Sequence, residues 1–189
     1  MKKVVILLTL LTFISGCSKD PVDNSLLVLR DGVMCEQNKL DPYTGKVVGF
    51  REDGTKRLEG AYKEGKKDGI WIYWFTDGVN IETKVAFKEG KEDGLYIRYS
   101  PDGQKREEQN FKNGLRDGLL TQYYDNTHKE FEQLFKDGKQ TGLVTRWYPN
   151  GQKESGGFLI DGVKNGAWVY WEENGHKKSE ITYRDGKSY

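Results

Sequence analysis

The chain has 189 residues, 31% of them charged and 13% aromatic, with a formal net charge of +1 and a mean hydropathy of -0.79. So balanced a charge excludes a strong net field that would steer the chain onto nucleic acid. Only two cysteines are present, which excludes a disulfide framework.

Lys2 and Lys3 precede an apolar run, Val4 to Phe13. That run is shorter than the roughly 20 apolar residues a spanning helix needs, and it has the form of a secretory leader. "ISGC", Ile14 to Cys17, then resembles the lipobox of bacterial lipoproteins, which implies cleavage before Cys17 and lipidation of its thiol. Loss of the leader takes the basic count from 30 to 28, against 29 acidic residues. Residues 1–16 are thus expected to be a lipoprotein signal peptide and 17–25 the lipidated Cys17 with a solvated tether. The implied location is the bacterial cell envelope, anchored to a membrane, and Ser18 fits sorting to an outer membrane. Residues 26–44 form an N-terminal cap, with "LLVLRDGVMCE" folding as a partial hairpin about Asp31-Gly32. Cys35, left without a partner, is read as a small buried apolar residue.

From residue 45 the chain repeats. Gly recurs at 45, 69, 94, 118, 142 and 166, and a second row falls at 54, 78, 103, 151 and 175, with Thr127 in the missing slot. A third row falls at 65, 90, 114, 138, 162 and 186. The rows mark out six units: 45–68, 69–93, 94–117, 118–141, 142–165 and 166–189. Each holds two runs of five to seven residues rich in Trp, Tyr, Phe, Ile, Val and Thr. These are too short for helices and have strand composition. The predicted fold is all-β: an elongated, single-layer antiparallel meander of six β-hairpins. At about 4.8 Å per strand each unit advances about 10 Å, and six span about 60 Å. Asp-Gly and Asn-Gly in the second Gly row suit primed hairpin turns, and Asn126-Thr127 predicts a looser fourth tip.

Columns of the aligned units predict faces. The fifth residue after the opening Gly is always aromatic: Phe50, Trp74, Tyr99, Tyr123, Trp147 and Trp171. With the first and third residues it is assigned to the core face. The second residue (Val47, Trp71, Tyr96, Leu120, Val144, Trp168) is also apolar but has the opposite parity. Either a bulge sits there or the second face is partly covered too. With no helix to cover it, the sheet is expected to curl into a trough. Aromatic rings of neighbouring hairpins then shelter one another, since one hairpin alone is marginal in water.

These units, above all "GIWIYWFTDG" and "GAWVYWEENG", resemble the MORN repeat variant, and "LDPYTGKVVGF" together with the repeats after it is similar to the bacterial YwqK-like family. The resemblance implies a single-layer sheet of hairpin repeats that contacts other proteins or, in some relatives, membranes. It also implies a role as the antitoxin component of a toxin–antitoxin pair. An exported chain cannot neutralise a cytoplasmic toxin, so the first expectation is an envelope scaffold that binds a protein or glycan partner, and the alternative is an antitoxin or immunity component.

No catalytic set emerges. His128 and His176 lie two units apart, about 20 Å by strand spacing, and cannot share a metal or a proton. Glu59, Glu108, Glu132 and Glu180 form one column and read as a solvated charge ladder against neighbouring Lys and Arg. No phosphate-binding loop or Ca²⁺ loop is present. A non-enzyme without cofactor or metal is expected. The candidate interaction surface is Trp71, Tyr73, Trp168 and Tyr170, offered for stacking on sugars or gripping apolar groups. The last strand, Ser179 to Arg184, is a possible pairing edge guarded by Lys177, Lys178, Arg184 and Lys187.

Overall fold

The computed structural model describes residues 20–189. The leader, Cys17 and Ser18 lie outside the described residues.

Strands β1 (Val22–Asp23), β2 (Leu27–Arg30) and β3 (Val33–Glu36) come first, with one 3-10 turn at Asn24–Leu26. Next come β4 (Gly45–Phe50), β5 (Lys56–Lys63), β6 (Lys66–Lys67), β7 (Gly69–Trp74), β8 (Ile81–Lys88) and β9 (Lys91–Tyr99). The rest are β10 (Lys105–Lys112), β11 (Leu115–Tyr123), β12 (Lys129–Lys136), β13 (Lys139–Trp147), β14 (Lys153–Ile160), β15 (Val163–Trp171), β16 (Lys177–Arg184) and β17 (Lys187–Ser188). The protein is all-β. From β4 onward the strands pair antiparallel in chain order, with β6 pairing only β5, and together with β1 they make one open 15-stranded sheet of consecutive hairpins. At its first edge β1, from the expected tether, pairs parallel with β4. β2 and β3 form a separate hairpin about Asp31-Gly32. It is tied to the first repeat where the Met34 N–H donates to the Gly65 carbonyl (2.9 Å), and it sends Leu27 into the core beside Val47 and Tyr62.

Two kinds of turn alternate, and their assignment reverses the expectation. The primed turns belong to the third Gly row. Asp137 (φ 48°) and Gly138 (φ 82°) are both left-handed, as are Glu89-Gly90 and Asn113-Gly114, and each makes a two-residue type I′ link. At the second Gly row the preceding Asp or Asn keeps negative φ and only the Gly is left-handed. The Gly54 N–H donates to the Arg51 carbonyl (2.9 Å), which closes a type I turn, and the Asp53 carboxylate accepts from the Thr55 N–H (2.9 Å). The fourth tip is not looser. The Thr127 N–H donates to the Tyr124 carbonyl (3.0 Å) as in the other repeats, and Thr127 is forced to φ 67°.

The opening glycines do not start strands in most repeats. β9, β11, β13 and β15 run straight through Gly94, Gly118, Gly142 and Gly166. There the strand bulges: from Gln109 to Phe111 on β10 the register moves two residues, while on β11 it moves four, from Leu120 to Arg116.

Burial overturns the face assignment. The tightly buried column is the second, with Val47, Trp71, Leu120, Val144 and Trp168. The first column faces solvent, with Ile70 58% and Leu143 59% exposed. The reason lies on the returning strand. Val47 pairs with Gly60 and Trp168 with Ile181, so the apolar anchors two residues along (Tyr62, Phe87, Phe111, Phe135, Leu159, Tyr183) share the second column's face. That inner face concentrates the large side chains. The outer face is partly covered as well: Trp74 is buried beneath the Lys56 ammonium, 4.7 Å from its ring centroid. Both alternatives left open by the second column therefore hold.

Candidate functional site

The four aromatic residues singled out from the sequence fall into two copies of one arrangement on the inner face. Gly60, on β5, has no side chain, and Trp71 of β7 lies in the space. A Cβ at Gly60 would sit 2.3 Å from the indole. The Trp71 Nε1–H donates to the Ala61 carbonyl (3.1 Å), so the buried ring keeps its polar atom satisfied. Tyr62 meets the indole edge-on at 5.0 Å. Above it sits Lys67, its ammonium 4.4 Å from the Trp71 centroid, 4.8 Å from Phe87 and 5.4 Å from Tyr73. The same ammonium donates to the Tyr73 hydroxyl (2.7 Å).

Four repeats later the pattern returns. Trp168 of β15 covers Gly157, where a Cβ would lie 2.4 Å from the ring, and its Nε1–H donates to the Phe158 carbonyl (3.2 Å). Lys164 lies 4.1 Å from the Trp168 centroid, 4.9 Å from Tyr183 and 5.6 Å from Tyr170, and it donates to the Tyr170 hydroxyl (3.0 Å). That hydrogen bond holds the Tyr170 phenol below its ordinary range. At the other end, burial raises the Tyr62 phenol. Each site is a three-ring cation cage already filled by the chain's own lysine, a contact worth about 0.5–2 kcal/mol. Trp71 (1% exposed) and Trp168 (7%) are therefore wall and floor, with no free ring face for a sugar. Only the half-buried Tyr73 and Tyr170 reach the surface.

Beside the second cage the inner face opens into a hollow of about 300 Å³ between β12 and β15. Val144, Leu159 and Trp168 supply apolar floor, and Gln133, Gln140, Arg146, Ser155 and Lys164 supply polar wall, with no carboxylate in the lining. The Arg146 guanidinium stacks on Phe131 at 5.4 Å and reaches Glu130 and Glu154 only at 4.0 and 3.8 Å. Gln133 is fully buried. Its Nε2–H groups donate to the Leu134 (2.7 Å) and Thr141 (2.9 Å) carbonyls, and its Oε1 has no protein partner among the described residues. The hollow can hold a polar, anion-bearing group against an apolar base. Sequence reading missed Gln140, Arg146 and Lys164. A signal existed for the lysine: "KDGIWIY" and "KNGAWVY" share Lys two residues before the opening Gly and Trp two after it.

The remaining candidates stay apart. His128, whose Nδ1 is 2.8 Å from the Pro149 carbonyl, and His176 sit on type I turns two repeats apart. Cys35 is buried and its thiol donates to the Leu40 carbonyl (3.4 Å). The glutamate column pairs along its own strands rather than across them. Glu59, Glu108, Glu132 and Glu180 each meet the lysine three residues earlier, as in Lys56–Glu59 at 3.1 Å. Among the described residues no group of three His, Cys, Asp or Glu is placed to hold a metal ion, and no helix is long and apolar enough to cross a membrane.

Fold and surface define a class: a repeat scaffold, one sheet thick, in which each hairpin completes the core of its neighbours. Three stretches, residues 92–113, 140–155 and 164–185, match the MORN repeat variant. The first and third each span a hairpin around a type I turn, so that hairpin is the repeating unit. No curated protein matches the chain.

Proposed function

We propose that the protein is a non-enzymatic scaffold of the bacterial cell envelope, anchored through a lipid on Cys17, that binds a protein or glycan partner along its inner face. Repeats of this family serve as binding scaffolds, and the polar side chains of this chain are dispersed by repeat. The observation that carries the reading is the hollow beside Trp168. It is the place where the periodic core gives way to an open, carboxylate-free wall of Gln140, Arg146 and Lys164. A partner presenting an acidic group over an apolar one fits it, because cations flanking a low-dielectric floor attract anions more strongly than the same cations in water.

The test is cross-linking in intact cells with a photoreactive residue at position 140, followed by mass spectrometry of both the adduct and the mature N-terminus. The expected result is a discrete envelope adduct that Arg146→Glu abolishes, on a chain beginning at a lipidated Cys17. No adduct across growth states would overturn the binding reading. An unprocessed N-terminus on a cytosolic chain would overturn the location and favour the antitoxin role that the resemblance implies.

A further inference from the structure

Strand pairing lays out the inner face beside the second cage as three rows, because residues on one face recur at every second position, about 7 Å apart along a strand. In the first row Arg146 stands opposite Ser155. In the next, Val144 stands opposite Gly157, and the Trp168 ring lies over that glycine. In the third, Leu159 stands opposite Lys164. Arg146, Val144, Leu159, Trp168 and Lys164 all border the hollow of about 300 Å³. It therefore has an apolar middle and a cation toward each end.

Neither cation has a carboxylate within hydrogen-bond reach. The acidic partners of Arg146 stay at 4.0 and 3.8 Å. The Lys164 ammonium donates to the Tyr170 hydroxyl, and among the ion pairs of the described residues none includes Lys164. The pattern belongs to this place and does not follow from the repeat. Beside the first cage, Gly49 and Leu58 stand where Arg146 and Ser155 stand. In the middle of the sheet, Arg98 faces Glu107 on the neighbouring strand, 3.5 Å away.

We infer that the hollow takes an extended segment of a partner protein with the pattern acid–x–aliphatic–x–acid, its two carboxylates at Arg146 and Lys164 and its aliphatic side chain on Val144, Leu159 and Trp168. The inference rests on the reading of the hollow as a binding site and names what fills it. An extended chain fits because its own side chains on one face repeat at the same pitch of about 7 Å as the rows beneath them. The charges fit because two cations beside an apolar floor are complementary to two acids that flank an aliphatic group. A peptide fits better than a glycan because a sugar stacks on an open ring face, and the rings bordering the hollow carry cations of the chain itself: Lys164 on Trp168 and Arg146 on Phe131.

Fluorescence anisotropy tests the inference, with the full chain as purified from its expressing cells and a labelled acetyl-Glu-Thr-Leu-Thr-Glu-amide peptide. The expected result is saturable binding that weakens about fivefold when either glutamate becomes glutamine. The isomer Glu-Glu-Leu-Thr-Thr should bind about fivefold more weakly as well. On Arg146→Met one of the two glutamine replacements should cost nothing further, and on Lys164→Met the other, so that each carboxylate is assigned to one cation. Arg146 is half exposed, so its variant decides alone should Lys164→Met fail to fold. Absence of peptide binding, or equal binding of the isomer, would overturn the inference. So would a glucuronate oligosaccharide that binds in the peptide's place and is lost on Arg146→Met, an outcome that leaves the hollow itself standing as a binding site. Failure of the hollow as a site is read separately, by the absence of any adduct at position 140 in cells.

Discussion

The ends and the middle of the sheet fill the same inner column in two ways. Near each end a tryptophan lies over a glycine, Trp71 over Gly60 and Trp168 over Gly157, with a lysine closing the cage. In the middle, Gln109 and Gln133 take the glycine positions, and each turns its Nε2–H group onto a backbone carbonyl next to it. One backbone therefore supports an aromatic and a polar solution, provided both members of each pair change together. The aromatic ends hold most of the buried apolar surface. Tyr62, Trp71 and Val85 gather at one end with Leu27 of the cap, and Val144, Leu159 and Trp168 at the other.

The largest way to break this contrast is to remove the indoles. Trp71→Ala should cost about 3–5 kcal/mol in urea unfolding. Trp168→Ala should cost less, because it has fewer buried neighbours and no cap hairpin over it. Equal losses would mean that the cap contributes nothing to the first cluster. Filling the glycine comes next: Gly60→Val drives a side chain into the Trp71 ring and should cost about 1–3 kcal/mol. In a Trp71→Ala background the same substitution should cost much less, and a double-mutant cycle with no coupling would remove the pairing of the two positions.

The middle can be sharpened more gently. Gln133 satisfies two carbonyls and Gln109 one. Gln133→Leu should therefore destabilise by about 1 kcal/mol more than Gln109→Leu, with thermal unfolding as the readout. The smallest effect is at the fourth tip. Thr127 is a β-branched residue held at φ 67°, so Thr127→Gly should stabilise by up to about 1 kcal/mol despite the added freedom of the unfolded chain.

Which features are legible in sequence depends on which physical demands leave a residue behind. Left-handed φ leaves glycine, so three glycine rows reveal the repeat, its period and the hairpin meander. The turn types escape such a reading because Asp-Gly and Asn-Gly stand in both rows. What separates them is the length of the link: Lys136 and Lys139 pair directly across two residues, while Arg51 and Thr55 enclose a longer tip. The faces escape it because both columns are apolar. The deciding partner, Gly60 beneath Trp71, is a residue whose importance lies in what it lacks. The hollow is invisible in sequence for a related reason: Arg146 on β13 and Lys164 on β15 lie 18 residues apart, and only pairing through β14 brings them to one cavity. Cys17 carries its signal entirely in sequence.

The central structural claim, that the inner column is the core and the outer first column is not, is tested most directly by two adjacent leucines. Leu120 is 5% exposed and Leu119 42%. In urea unfolding, Leu120→Ala should cost about 2–5 kcal/mol, and Leu119→Ala no more than about 0.5–1. Equal losses, or a larger loss at Leu119, would contradict it.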